Sequence, residues 1–501
     1  MNKWGKIWAA LLLMALLLLT WTGCGKTEPS GNETAGETEG ATSSVQGESK
    51  VPQTETETRR MPQIPDADFE GESFDVLHWT VDESWIPWEE IYVETMNGDV
   101  LETAVFNRNS EVGEKYHATF SVAYEHVNTF KSKLQTLVST TAKDYDLCVL
   151  RSVTVASIFM QDFFADMRDL SYVDFTNPWW SQSSMDALRT GNRINFCASD
   201  YLLMDKSATV CTFFNKAIAD EHGEAIGNLY EAVRQGEWTL EKLTDCMAAV
   251  ATDLNDDGRT NSDGDLVGMV GSDSPVNYLF LSAGGRFMQY NETRNCYDYT
   301  FYTQENVDKL QDIFESVMYA DSNLNETHTP TSTTKFENDL ALFKMGAVQK
   351  TSDFRQMKSD YGILPIPMYE KSQGRYFSEV SPDRDSLLFL PATVGEADMP
   401  FIGTMLEALG ARSYYEVLPV FHDIVLEGKG TRDKESRDML QLVFETRTYD
   451  PGLIFDLAGF ARYIMHYTQY GTSDFASAYA EYEGKIDERL KELNNYIAEN
   501  S

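Results

Sequence analysis

A run of oxygen-bearing side chains between residues 253 and 265 could bind a divalent cation. Acidic and amide residues alternate at its start, and Gly258 follows them. Calcium-binding loops take ligands from positions 1, 3 and 5, turn sharply at a glycine in position 6, and use the backbone carbonyl of position 7. The candidate calcium ligands are Asp253, Asn255, Asp257, Arg259 (through its carbonyl), Asp263 and Asp265.

The same loop departs from the EF-hand pattern at its twelfth position, where Gly264 replaces the bidentate glutamate. A strand, Leu266 to Val270, is predicted to follow it instead of a helix. The alternative is a plain turn, because Asp and Asn side chains often accept hydrogen bonds from the backbone two residues further on. The sequence therefore predicts a structural calcium site or an Asx-rich turn, and no cofactor that function would require.

Other common chemical signatures are missing from the sequence. It contains no HExxH, GxSxG, P-loop or GxGxxG motif. Its six cysteines form no CxxC pair, and its seven histidines are scattered, so a zinc site is not expected. A formal net charge of −38 argues against a nucleic-acid partner.

The N-terminus has the pattern of a secretory signal. Lys3 and Lys6 precede a short apolar run that ends before Gly23 and Cys24. This run is shorter than the roughly 20 residues that a membrane-spanning helix needs. A small residue directly before a cysteine resembles the lipobox of bacterial lipoproteins, in which the cysteine carries the lipid, although Trp21 stands where leucine is usual.

We therefore predict a signal peptide at residues 1–23 and a lipid on Cys24 that holds the protein at the outer face of the cell membrane. Ordinary secretion and a retained anchor are the alternatives. Residues 24–66 are poor in apolar side chains and are predicted to form a disordered tether.

The folded part begins with strands that alternate with helices. Strands are predicted at 74–80, 119–124 and 144–150, and helices at 89–115 and 130–139. This alternation is typical of α/β folds with a mostly parallel sheet, in which ligands bind outside the carboxyl ends of the strands. Trp79, Thr80, Arg151 and Ser152 would then lie at such a crevice. Further helices are predicted at 397–411, 415–427, 434–445 and 475–498.

Several short motifs occur in a characteristic order along the chain. They are Asp169-Leu170-Ser171-Tyr172, Asn177-Pro178-Trp179-Trp180, Phe213-Phe214-Asn215-Lys216, residues 236–243, Phe343-Lys344-Met345-Gly346, Leu364-Pro365-Ile366-Pro367 and residues 432–439. Each is weak alone, but their order behind a lipobox is more specific. On these motifs the chain resembles the extracellular solute-binding proteins of bacterial ABC importers, of the type that captures sugars.

The resemblance implies a two-lobed, periplasmic-binding-protein-like α/β fold of type II, with a ligand cleft between the lobes and a helix-rich C-terminal part. We place one lobe at residues 67–185 plus 336–380 and the other at 186–335 plus 381–501. Capture would follow from closure of an open–closed equilibrium around the ligand.

The resemblance also implies a function. A lipid-anchored monomer would bind a carbohydrate, an oligosaccharide in particular, and deliver it to the permease subunits of an ABC importer without catalysis. A surface sensor or adhesin on the same fold is one alternative. An exported glycoside hydrolase is another, because a catalytic carboxylate pair cannot be recognised among 79 acidic residues.

Sugar sites combine flat aromatic rings, which pack on the C–H face of a pyranose, with polar side chains that bind its hydroxyls. Core packing is the alternative for each tryptophan, and a surface ion pair is the alternative for Arg151. The candidate ligand-binding residues are Trp79, Trp85, Arg151, Ser152, Trp179 and Trp238.

Overall fold

A computed structural model describes residues 60–81, 89–96, 98–262, 264–271, 275–325, 334–426, 434–466 and 474–501. The predicted signal peptide, Cys24, Trp85 and Asp263 lie outside these ranges. Residues 60–66, which the sequence assigned to the tether, instead lie against the folded part. The backbone N–H of Arg60 donates to Tyr415 Oη at 2.8 Å, and its guanidinium pairs with Asp174 at 3.4 Å.

Fourteen strands occur in this part of the chain. They are β1 Glu72–Thr80, β2 Ala118–His126, β3 Leu147–Leu150, β4 Phe164–Ala165, β5 Val210–Asn215, β6 Val267–Gly271, β7 Met288–Asn291, β8 Cys296–Tyr299, β9 Asn323–Asn325, β10 Ala341–Ala347, β11 Tyr361–Leu364, β12 Ser378–Glu379, β13 Leu387–Pro391 and β14 Arg447–Thr448.

Seventeen α-helices occur in the same ranges. They are α1 Val100–Tyr116, α2 Val127–Thr140, α3 Ser152–Val155, α4 Gln182–Ala187, α5 Met204–Ser207, α6 Lys216–Glu221, α7 Gly223–Ile226, α8 Leu229–Arg234, α9 Leu240–Val250, α10 Pro275–Ser282, α11 Gln304–Ile313, α12 Met399–Arg412, α13 Leu418–Val425, α14 Lys434–Glu445, α15 Pro451–Phe455, α16 Phe460–Met465 and α17 Phe475–Asn500. None of the helices described is both long and apolar enough to cross a lipid bilayer.

Two five-stranded sheets form the framework. The first has the order β2-β1-β3-β13-β4, with β1 parallel to β2 and β3 and with β13 antiparallel to β3. The second has the order β11-β5-β10-β6-β9, with β10 antiparallel to β5 and parallel to β6. Central strands such as β3 and β5 are buried on both faces, which explains their mostly apolar sequences. The α/β class predicted from the sequence is confirmed.

Local capping fixes where helices begin. The Asp99 side chain accepts hydrogen bonds from the N–H groups of Leu101 and Glu102, so α1 begins at Val100. The sequence predicted that this helix begins at residue 89, but residues 89–96 are not helical. Thr239 caps α9 through the N–H of Lys242, in the position that its sequence predicts. The other predicted helices are found within a few residues of their expected ends.

The strand pairing corrects the expected division between the lobes. β10 and β11 pair with β5, so residues 341–347 and 361–364 belong to the second sheet and not to the first lobe. β13 pairs with β3, so residues 387–391 belong to the first sheet and not to the second lobe. The apolar strands are similar in sequence character, and only their long-range partners decide which sheet they join.

Three segments cross side by side between the two sheets. Thr209 forms a bridge with Val380, and the N–H of Ser381 donates to the carbonyl of Ala208 at 3.1 Å. β12 lies parallel to β14, and the N–H of Val380 donates to the carbonyl of Thr448 at 3.0 Å. We call residues 378–386, in the middle of this bundle, the crossing segment.

Candidate ligand-binding cleft

A cleft of about 740 Å³ opens where the crossing segment separates the two sheets. On one side it is bounded by Val153, beside the first sheet, and by residues 379 and 381–384 of the crossing segment. On the other side it is bounded by Tyr278 on α10, Lys344 on β10 and Arg462 on α16. Val153 follows β3, while Gly271 and Ala347 end β6 and β10. The cleft thus lies at carboxyl ends of strands, where open α/β sheets bind ligands.

Charged side chains around the cleft are mostly held in pairs. Lys350 lies 3.0 Å from Asp353, and Arg462 lies 3.8 Å from Asp456. Lys344 lies 4.0 Å from Glu337. Paired side chains of this kind can donate to and accept from the hydroxyls of a neutral ligand, because each retains unused hydrogen-bonding capacity.

One aromatic ring is placed to pack on a ligand. Tyr278, on α10, lines the cleft and is half-buried, whereas Phe213 and Phe354 at the same wall are 0% and 2% exposed. A partly exposed ring beside paired polar groups is the combination that sugar binding uses. Tyr278 was not among the residues selected from the sequence, because α10 is mostly apolar and its pattern indicates only burial.

The crossing segment is fastened to the first sheet through Ser152. Its N–H donates to Asp385 Oδ1 at 2.9 Å and its hydroxyl donates to Asp385 Oδ2. The neighbouring Val153 N–H donates to the carbonyl of Pro382 at 3.0 Å. Burial raises the pKa of Asp385 to about 8, although both hydrogen bonds from Ser152 oppose the rise.

Three of the predicted ligand-binding residues meet at this junction. Trp79 Nε1 donates to Ser386 Oγ at 2.9 Å, and the guanidinium of Arg151 lies 5.8 Å from the centre of the Trp79 ring. Trp79 and Ser152 are both 0% exposed. In this conformation they fasten the crossing segment and do not face the cleft, which corrects their expected role. Arg151 is part-buried and donates to Thr154 Oγ1 at 3.1 Å.

The other two candidate tryptophans that the structure describes lie elsewhere. Trp179 is fully buried against Gly410 of α12, on the first-sheet side. Trp238 is fully buried in the second half, where its Nε1 donates to the carbonyl of Pro365 at 2.8 Å. Neither ring has surface on which a sugar could stack. Both tryptophans therefore pack in the core, which was the alternative to ligand binding.

The acidic loop is organised by hydrogen bonds to its own backbone. Asp253 accepts from the N–H groups of Asn255, Asp257 and Gly258, the last at 2.8 Å. Asp265 accepts from the N–H of Leu254 at 3.1 Å. Within the described ranges, no three His, Cys, Asp or Glu side chains are grouped so that they could hold a metal ion. These contacts fit the Asx-turn alternative, and calcium binding remains a prediction.

Sequence reasoning also missed the crossing segment itself. Its Ser381-Pro382-Asp383-Arg384-Asp385 stretch reads as an ordinary exposed turn between apolar runs. Yet Glu379 and Asp385 are 4% and 0% exposed. The only available signal was the density of acids directly before the apolar run that forms β13.

Comparison with known proteins supports the fold. No protein-family model matches the sequence, and the search of curated proteins gives no match. Among solved structures, an ABC substrate-binding protein from Listeria monocytogenes in complex with cycloalternan has a TM-score of 0.52 and 12% identity, over 84% of this chain and 99% of that chain. The maltose-binding protein MalE from the same organism, in complex with maltose, has a TM-score of 0.53 and 10% identity, over 84% and 98%.

A third similar structure is the cyclic α-maltosyl-1,6-maltose binding protein from Arthrobacter globiformis, with a TM-score of 0.53 and 13% identity over 84% of this chain and 100% of that one. All three are binding proteins by name, each named for or in complex with a saccharide, and this chain covers nearly their whole length. At these identities the similarity concerns the fold. The predicted two-lobed, periplasmic-binding-protein-like fold of type II is confirmed.

Proposed function

We propose that this chain is an extracellular solute-binding protein that captures a carbohydrate in the cleft and passes it to the permease subunits of an ABC importer. The observation that carries the proposal is the cleft itself. It lies between two sheets, at the carboxyl ends of their strands, and combines the half-buried Tyr278 with paired polar side chains. The similar structures are of proteins that bind maltose and cyclic oligosaccharides.

A cleft of about 740 Å³ has room for more than one sugar ring, which favours an oligosaccharide. Capture would proceed by closure of the two lobes about the crossing segment, because a ligand stabilises the conformation in which it makes more contacts. The proposal requires no covalent chemistry: the chain would act as a binding protein, and a glycoside hydrolase is the alternative.

Cys24 supports a further part of the proposal. A lipid on this cysteine would hold a monomer at the extracellular face of the membrane, with the residues after it as the tether. Replacing Cys24 by Ser is expected to release the protein into the medium. A Cys24→Ser variant that stays with the membrane would contradict the anchor and leave the binding function standing.

The experiment that tests binding is thermal unfolding of the purified protein against mono- and oligosaccharides. A ligand that binds only the folded state raises the melting temperature as its concentration rises. We expect such a rise for one glycan class, without release of new reducing ends on prolonged incubation. If no saccharide raises the melting temperature and calorimetry detects no binding, carbohydrate capture is refuted.

A matched pair of variants locates the site. Tyr278→Ala removes the ring in the cleft and is expected to weaken saccharide binding by at least about ten-fold, as loss of a stacking aromatic residue does. Tyr302→Ala removes a tyrosine that is 45% exposed and stacks on Tyr479 outside the cleft, and should leave affinity unchanged. Equal effects of the two substitutions would contradict the assignment of the cleft.

A further inference from the structure

Glu379 brings a buried carboxyl group to the wall of the cleft. Glu379, at the end of β12, lines the cleft and is 4% exposed. In the part of the chain that the structure describes, its Oε2 has no hydrogen-bond partner. Buried polar atoms are nearly always paired in folded proteins, so an unpaired oxygen beside a cleft can take its partner from a bound ligand.

The charges around Glu379 have the same sign as its own carboxylate. Burial, then Asp450, then Asp383 raise the pKa of Glu379 well above its ordinary value. Burial raises the pKa of Asp450 to about 6, although Arg286 and the N–H groups of Phe287 and Gly452 act to lower it. The groups whose charges act on Glu379 are therefore acidic, although Arg384 also lines this wall of the cleft.

Two other acids of the cleft differ from Glu379 in having cationic partners. Asp353 pairs with Lys350 at 3.0 Å, and Asp456 lies 3.8 Å from Arg462. The fold thus supplies counter-ions to these acids, and the region around Glu379 and Asp383 is where a positive charge brought by a ligand would gain most. A buried carboxylate that receives an N–H donor with a positive charge forms a strong, charge-assisted hydrogen bond.

We propose that the cleft selects a saccharide that carries a basic nitrogen, an amino sugar with a free amine, and that Glu379 receives its ammonium group. Asp383, also in the cleft wall, adds to the negative potential there. This inference rests on the proposed carbohydrate-binding function and specifies the class of its ligand. A neutral saccharide that accepts a hydrogen bond from a protonated Glu379 is the competing outcome.

The test compares saccharides whose substituent at carbon 2 is a charged ammonium, a neutral acetamido group or a neutral hydroxyl. Glucosamine and its oligomers, N-acetylglucosamine and its oligomers, and glucose with its α-1,4 and β-1,4 oligomers are titrated into the protein at neutral pH by calorimetry. We expect the free amines to bind at least about ten-fold more tightly than the N-acetylated and neutral sugars of equal length, as expected for a buried charge pair.

Two variants assign the preference to one residue. Glu379→Gln keeps the size of the side chain and removes its charge, so the preference for the amine should disappear while the affinity for N-acetylated sugars stays. Asp353→Asn removes a cleft carboxylate that already has a cationic partner, and should keep the preference. An equal preference in wild type and Glu379→Gln would overturn the role of Glu379.

The outcomes separate this inference from the proposed function. Binding of neutral or N-acetylated sugars at affinities equal to those of the amines would overturn the inference alone and leave carbohydrate capture standing. Absence of binding by every saccharide would overturn both.

Discussion

Replacing Asp385 by Asn should change how the stability of the protein depends on pH. Asp385 is fully buried in the crossing segment, and burial raises its pKa to about 8. In the unfolded chain an aspartate titrates near a pKa of about 3.9. Between these values the folded protein keeps a proton on Asp385 that the unfolded chain has lost.

The sign follows from proton linkage. Because the folded state binds more protons, the contribution of Asp385 to stability is complete below pH ~4 and is lost as pH rises towards 8. The loss is about 1.4 kcal/mol per pH unit, or roughly 3 kcal/mol between pH 5 and pH 7. Asn cannot ionise, so the Asp385→Asn variant does not incur this loss.

Asn also fits the site, because its amide can donate to the Ser152 hydroxyl as a protonated carboxyl would, and its oxygen can accept from the Ser152 N–H. Urea unfolding at pH 5, 6 and 7, at constant ionic strength, measures the free energy of unfolding of both proteins. We expect the stability of the variant relative to wild type to increase by roughly 3 kcal/mol over this interval. Asp353→Asn, which removes a half-exposed and paired carboxylate, should show little trend.

A difference between Asp385→Asn and wild type that is constant from pH 5 to pH 7 would refute the reasoning, because it would show that Asp385 is ionised in the fold throughout. If the hydrogen bonds from Ser152 outweighed burial, the folded pKa would lie below that of the unfolded chain, and the difference would change only below about pH 4.

Three further results are expected. Gly403→Ala should lower the melting temperature, because a Cβ there would lie 2.0 Å from a backbone carbonyl oxygen. Gly484→Ala is the matched control within α17, where nothing lies within 4 Å of the added Cβ, and it should raise the free energy of unfolding in urea by up to ~1 kcal/mol. Trp238→Phe should cost about 1–3 kcal/mol of stability by leaving the Pro365 carbonyl unpaired, with saccharide affinity unchanged in calorimetry. Asp253→Ala should lower the melting temperature equally in calcium and in chelator, because it removes an acceptor of backbone hydrogen bonds. A decrease in melting temperature seen only in calcium would instead favour calcium binding by this loop.

Much of the fold could be predicted from local patterns. The first three strands stand where apolar residues alternate or run together, and α14 begins and ends as its amphipathic period predicts. The position of a crevice at the end of β3 follows from the same reasoning, and Val153 does line the cleft. Such features depend on neighbours in the sequence, which a pattern records.

Lobe membership could not be predicted in this way. Leu387 pairs with Leu150, and Phe343 pairs with Phe214, over separations that no local pattern encodes. The tryptophans fail for a related reason. A large ring predicts that much apolar surface will be buried, but whether Trp238 is buried by protein or by ligand depends on the residues that the fold brings to it.

The two buried acids of the crossing segment show what burial adds to the sequence. Asp385 and Glu379 lie six residues apart, and both are buried carboxylic acids. Ser152 donates hydrogen bonds to both oxygens of Asp385, whereas Oε2 of Glu379 has no hydrogen-bond partner in the described residues. Burying a carboxyl group without a partner costs desolvation free energy, which an apolar side chain of the same size would avoid. A role in ligand binding would account for keeping such a group beside the cleft. The crossing segment therefore separates two roles. Asp385 joins it to the first sheet, and Glu379 holds beside the cleft a carboxyl group that a ligand with a basic nitrogen would ionise and pair with.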